Sequence, residues 1–171
     1  MSRAAHDGEE AMLRIVKILL ILSVAAYCLL SVADNIVDWR HVMGSIGGVT
    51  SMATVDGGAG WWQATKSPVV IALGWFGIVV FKILGGVGCA AGGWRMWAAR
   101  RADAATFAQA KSLALAGCGV AVLGVYLGWT VIGEQVFEMW RSHIFAQAAN
   151  TAFRYGGSIA LIAVFVGMRE D

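Results

Sequence analysis

SLALAGCGVAVLGVYLGWTVIG, residues 112–133, runs for about six helical turns without one charged side chain. At 1.5 Å per residue it is about 33 Å long, enough to cross the hydrocarbon core of a bilayer. In water such a helix would have to be sheathed by protein on every side, and 171 residues leave no such sheath. Lipid is the environment that fits it.

Three further runs flank it. Ile18 to Ala33 carries no charge and is extended by Leu13 to Val16; Pro68 to Trp94 carries only Lys82; Ile144 to Met168 carries only Arg154. Together they predict an all-α, polytopic membrane protein. It is a single domain of four transmembrane helices at about 13–34, 68–97, 106–138 and 144–168, joined by external loops at about 35–67 and 139–143 and a cytoplasmic loop at about 98–105. Composition agrees. The chain is 58% hydrophobic and 14% charged, against about 25% charged in a soluble domain. The net charge of +2 is no nucleic-acid footprint. Cys28, Cys89 and Cys118 all fall inside apolar runs, so neither a disulfide nor a redox centre is expected.

A cleaved leader is the competing reading of the first run, because Ser31-Val32-Ala33 has small residues at cleavage-site spacing. The acids Asp7, Glu9 and Glu10 ahead of it, and its length, argue for a retained span. Lys and Arg near the helix ends give the orientation. Arg95, Arg100, Arg101 and Lys111, with Arg3, Arg14 and Lys17, mark the inside. Asp34, Asp38, Asp56, Glu134 and Glu138 gather on the other side, partly balanced by Arg40, Lys66 and Arg141. Both termini are therefore expected in the cytoplasm, with the protein in a bacterial inner membrane. Trp39, Trp61, Trp62 and Trp140 fall at the outer surface and Trp94 and Trp97 at the inner one, as aromatic belts do. The long first external loop is glycine-rich and has room for a short surface helix around Trp39 to Ile46.

Small residues four apart allow helix backbones to approach closely in lipid. Gly88 with Gly92 and Gly124 with Gly128 form such pairs, and Gly117 with Ala121 and Gly156 with Ala160 continue them. The reading favoured is packing inside the bundle, over an oligomer face.

Two segments leaving the membrane on the same side resemble each other: Asp34-Asn35-Ile36-Val37-Asp38-Trp39-Arg40-His41 and Glu134-Gln135-Val136-Phe137-Glu138-Met139-Trp140-Arg141-Ser142-His143. Each puts two acids at i and i+4, on one helical face, before a Trp, an Arg and a His. Asp34, Asn35, Asp38, Glu134, Glu138 and Arg154 are expected to form a structural polar network, with Arg154 pairing one of the carboxylates. Metal binding is the weaker reading, since no His-x-x-x-His or comparable spacing occurs. Lys82 lies about 21 Å along its helix from Pro68, placed by that count past the midplane toward the cytoplasm, where no acid matches its depth. An intramembrane charge is a functional-site candidate by default, although its stem can also snorkel.

No phosphate loop, nucleophile with its base, or haem-attachment motif is present. The expectation is a protein without cofactor or enzymatic activity.

The chain resembles the bacterial family of predicted small integral membrane proteins called domain of unknown function 2165, from Asn35 onward. The resemblance rests on Asn35-x-x-Asp38, Val49 with Ser51-Met52, Ser67-Pro68, Phe107 with Lys111, and above all Gly133-Glu134-x-x-Phe137-x-Met139-Trp140-x-Ser142 followed by Ala152-Phe153-Arg154. It implies four helices and a bacterial inner membrane and brings no activity. The chain departs from the family pattern at Gly48, where a His is expected, at Ala53 for an Asp, at Gln63 for an Arg, and at Lys82 for an acid. These departures favour scaffolding over chemistry. The leading expectation is an accessory or structural subunit packed against a larger membrane complex, respiratory or photosynthetic, or a homo-oligomer. The alternative is a small oligomeric transporter, channel or lipid-binding protein using Lys82 and the outer polar cluster.

Overall fold

The structure, a computed structural model, describes residues 3–169, and of residues 3–7 the backbone alone. The side chains of Arg3, counted above for topology, and of Asp7, counted against a cleaved leader, lie outside it. The described residues form helices and turns: α1 (Arg3–Val37), α2 (Trp39–Thr50), α3 (Pro68–Ala98), α4 (Ala104–Val125), which continues as a π-helical segment over Tyr126–Val136, and α5 (Ala146–Gly167). Four stretches are long and apolar enough to span a bilayer: Gly8–Val37, Pro68–Ala98, Ala104–Val136 and Ala146–Gly167. The fold is an all-α, four-helix membrane bundle. One end, the terminal face, carries the start of α1, the end of α5 and the 99–103 connection; the other, the loop face, carries the 51–67 and 137–145 connections.

Local chemistry sets the helix starts. Pro68 occupies the first turn of α3, where its missing N–H costs nothing. Asp103 caps α4, its carboxylate accepting from the Thr106 N–H at 3.0 Å and hydroxyl at 2.8 Å. Those two bonds hold the Asp103 carboxyl below the usual carboxylate range. The hydroxyl of Ser142 accepts the N–H groups of Ile144 and Phe145 ahead of α5.

Apolar side chains such as Leu30, Leu73 and Leu161 point outward on three of the spans, as lipid requires. Packing is closest between α3 and α4. A Cβ on Gly88 would sit 3.0 Å from the Gly117 Cα, one on Gly117 would sit 2.6 Å from the Cys89 backbone nitrogen, and one on Gly92 would strike the Ala114 backbone. Gly124 abuts Phe81, and Gly156 meets Val125 of α4. Those glycines are used inside the bundle, while Gly128 meets nothing within 4 Å. The anticipated Gly124 and Gly128 pair is therefore split. Gly128 lies in the π-helical segment, whose wider turn breaks the four-residue spacing.

Two smaller features complete the frame. α2, anticipated over Trp39 to Ile46, runs on to Thr50 and rests on α3 through Ile46 with Gly74 and Gly47 with Ile71. α1 and α5 touch more loosely. Between them the Tyr27 and Tyr155 rings lie 4.9 Å apart beside a gap of about 160 Å³ bordered by Ser23 and Ser158.

Candidate functional site

The polar groups anticipated as one network are dispersed over the loop face. Asp34 and Asp38 are exposed, and the helix breaks at Asp38, between α1 and α2. Glu134 ends up in the π-helical segment, and Glu138 in a turn with φ of 47°, a left-handed backbone uncommon for a residue with a Cβ. The two look-alike segments therefore adopt different backbones: the Asp38 N–H still donates to the Asp34 carbonyl one helical turn back at 2.9 Å, whereas the π-helical segment and the left-handed Glu138 take Glu138 off the face of Glu134.

Among the described residues the anticipated Arg154 pair with a carboxylate is also not formed. Arg154 is exposed and donates to the Thr151 hydroxyl at 3.2 Å. Glu138 is instead taken by Arg141, three residues away, at 2.7 Å, with that guanidinium 5.0 Å from the Trp61 ring centre. A partner within one tight turn costs less ordering than one on another helix, which is why the local pair wins.

What closes the loop face is the packed turn. Phe137, Met139 and Ser142 are buried, and the Ser142 hydroxyl lies 2.7 Å from the Thr54 hydroxyl, joining the two connections. Gly133 gives Met139 room, since a Cβ there would come to 3.3 Å from its sulfur. The segment that carries the family resemblance most strongly is thus an architectural one. Two buried polar atoms at this face have no hydrogen-bond partner: Asn35 Nδ2 and Gln63 Oε1. The Asn35 carbonyl, by contrast, accepts from Trp75 Nε1 at 3.1 Å.

Lys82 is half-buried on α3, and its ammonium donates to the Ser31 hydroxyl of α1 at 2.6 Å. The register of the two antiparallel helices gives its level against α1. Gly86 meets Cys28 and Leu29, and Gly93 meets Ile21 and Leu22, so seven residues along one helix match seven along the other. Four residues from Gly86 toward the loop face, Lys82 is level with Val32 and Ala33, about 6–8 Å from the Val37 end of α1. Against the other helices the same level is deeper: with Gly124 beside Phe81 and Gly156 beside Val125, Lys82 stands near the middle of α3 and of α5.

A hydroxyl bonded to an amine can serve as nucleophile and base. Ser31, however, sits inside α1, whose neighbouring N–H groups are committed to the helix and offer no oxyanion donors. The arrangement is instead suited to holding an anionic group against Lys82. Among the described residues, no three His, Cys, Asp or Glu side chains converge as metal ligands.

A second polar centre lies at the terminal face, where the sequence reading saw only topology markers. Arg14, Lys17 and Lys111 are all buried. Arg14 Nη1 donates to the carbonyls of Ala102 at 2.6 Å and Arg100 at 3.3 Å. Lys17 and Lys111 both donate to the Met168 carbonyl, at 3.0 and 2.9 Å, and both have further contacts. Phe107, fully buried, lies 4.9 Å from the Arg14 guanidinium and 5.8 Å from the Lys111 ammonium. The carbonyls just beyond α3 and at the end of α5 are where helix dipoles are negative, so cations are well placed there. Arg14, Lys17, Ile18, Ile21, Val24, Ala25 and Cys28 form the buried stripe of α1.

A family model described as predicted small integral membrane protein (DUF2165) matches residues 13–169. No curated protein and no solved structure matches the chain.

Proposed function

The chain belongs to this family of predicted small integral membrane proteins, and on that premise we propose that it is an accessory subunit docking against another membrane protein through its loop-face half. The observation that carries the reading is Lys82. Its ammonium is half-buried at membrane depth, has three donors, and bonds to one neutral hydroxyl among the described contacts. A carboxylate on a partner helix would complete it, and the unpartnered Asn35 Nδ2 and Gln63 Oε1 add polar capacity at the same end. Docking by helix-packing glycines finds less support, since Gly88, Gly92 and Gly117 are already filled by the α3 and α4 contact. The reading is non-catalytic and places the loop face outside a bacterial inner membrane, following the charge bias at the helix ends.

Affinity purification from native membranes in mild detergent, followed by mass spectrometry, tests it. The expected result is a stoichiometric membrane partner for the wild type and at least about tenfold less of it for Lys82→Met, about 1.4 kcal/mol of lost binding. A lone monomer would sink the proposal. The lipid-binding alternative draws on the hydroxyl-bordered gap between α1 and α5; equal recovery of a bound lipid and no protein would favour it.

A further inference from the structure

At the terminal face a cleft of about 370 Å³ opens between α1 and the connection to α4, lined by Glu10, Arg14, Arg100, Arg101, Ala102 and Asp103 among others. Arg14, only 7% exposed, forms its inner wall. One of its terminal nitrogens is spent on the Ala102 and Arg100 carbonyls, but Nε is buried without a hydrogen-bond partner. Arg100 stacks over Trp97 at 4.3 Å and bonds its carbonyl, and Arg101 is exposed.

Among the described residues three guanidiniums therefore meet two carboxylates, and the carboxylates are already engaged. Asp103 is tied to Thr106 at the positive end of α4, and Glu10 has a contact of its own. The excess in the cleft is positive. Trp94 and Trp97, both exposed, sit at the same end of α3, the level at which tryptophans meet lipid headgroups.

We propose that this cleft binds the phosphate of an anionic phospholipid headgroup. Guanidinium forks match phosphate oxygens in pairs, and basic pockets between membrane helices are where such headgroups lodge. A free phosphate offers the same chemistry. The lipid is favoured because the cleft opens at the membrane surface, where headgroups are the abundant phosphates. The α4 N-terminus contributes little to this, since Asp103 already occupies it; the arginines carry the site. This proposal stands apart from the docking of Lys82, which lies within the membrane span of α3.

The full-length protein in neutral detergent provides the test, with its unfolding temperature read after addition of phosphatidylglycerol, phosphatidylcholine or inorganic phosphate. Phosphatidylglycerol is expected to raise it by about 3 °C or more above phosphatidylcholine, and millimolar phosphate to leave it unchanged. In Arg100→Gln/Arg101→Gln the difference should vanish while the unliganded unfolding temperature stays near wild type, because Arg14 is braced by backbone carbonyls. Where the double variant fails to fold, Arg101→Gln, at an exposed position, should at least halve the difference. Equal shifts by both lipids, an undiminished difference in the variant that folds, or an equal shift by inorganic phosphate would each overturn the lipid site.

Discussion

The two ends of this bundle treat their cations in opposite ways. At the terminal face Arg14, Lys17 and Lys111 are buried and tied to backbone carbonyls of the 100–102 connection and of Met168. At the loop-face half Lys82 is half-buried and Arg154 exposed, and the contacts made by each are with a hydroxyl, Ser31 and Thr151. A carbonyl at a helix end is a fixed, negative and otherwise unsatisfied acceptor, whereas a hydroxyl is neutral and rotates. The first arrangement holds helices together. The second leaves a charge able to exchange its partner, which is what a docking surface needs.

Substitutions can break that contrast or sharpen it. The largest effect belongs to Arg14→Ala, which leaves the Ala102 carbonyl unpaired and uncovers Phe107; unfolding in a denaturing detergent titration should show a loss of about 2–4 kcal/mol. A loss under about 1 kcal/mol would break the contrast at its stronger end. Lys111→Met comes next, at about 1–2 kcal/mol, because Lys17 still reaches the same carbonyl. Lys82→Met should leave the isolated protein within about 1 kcal/mol of wild type, or stabilise it, since methionine fills a similar volume without an ion to desolvate. A larger loss would make Lys82 a structural brace like the terminal cations.

Smaller still, Arg154→Ala should fall within about 0.5 kcal/mol, since the residue is exposed and pairs with no carboxylate among the described residues. A further effect, read through pH, concerns Asp103. Its depressed folded-state value means that its cap stabilises above the unfolded Asp pKa, about 3.9, and is lost as pH falls through the folded value. The unfolding temperatures of wild type and Asp103→Ala should therefore differ near neutrality and converge in acid.

The spans were legible because hydropathy over a long window needs no tertiary information. Residues 112–133 read as a membrane helix whatever they pack against, and the chain does form four such helices. The buried cations were not legible for the same reason. In a helix that is apolar on every side, the stripe facing protein and the stripe facing lipid look alike, so nothing marked Arg14 and Lys17 as lying on the inner one. Phe107 with Lys111 had been singled out through the resemblance, yet its meaning required knowing that α5 ends beside it. At the loop face the error ran the other way. The i, i+4 spacing of Glu134 and Glu138 presumes an α-helix, and a π-helical segment followed by a left-handed residue at Glu138 removes that premise.

The Met168 carbonyl has a bearing on how the bundle comes together in time. It lies at the end of the last of the four spans, while the lysines that grip it, Lys17 and Lys111, belong to the first and third. During synthesis both lysines enter the membrane before that acceptor exists. The clamp can close only when α5 is in place, so the contact doubles as a mark of completed insertion, and a chain stalled before α5 would present two lysines lacking this shared acceptor to whatever surveys unfinished membrane proteins.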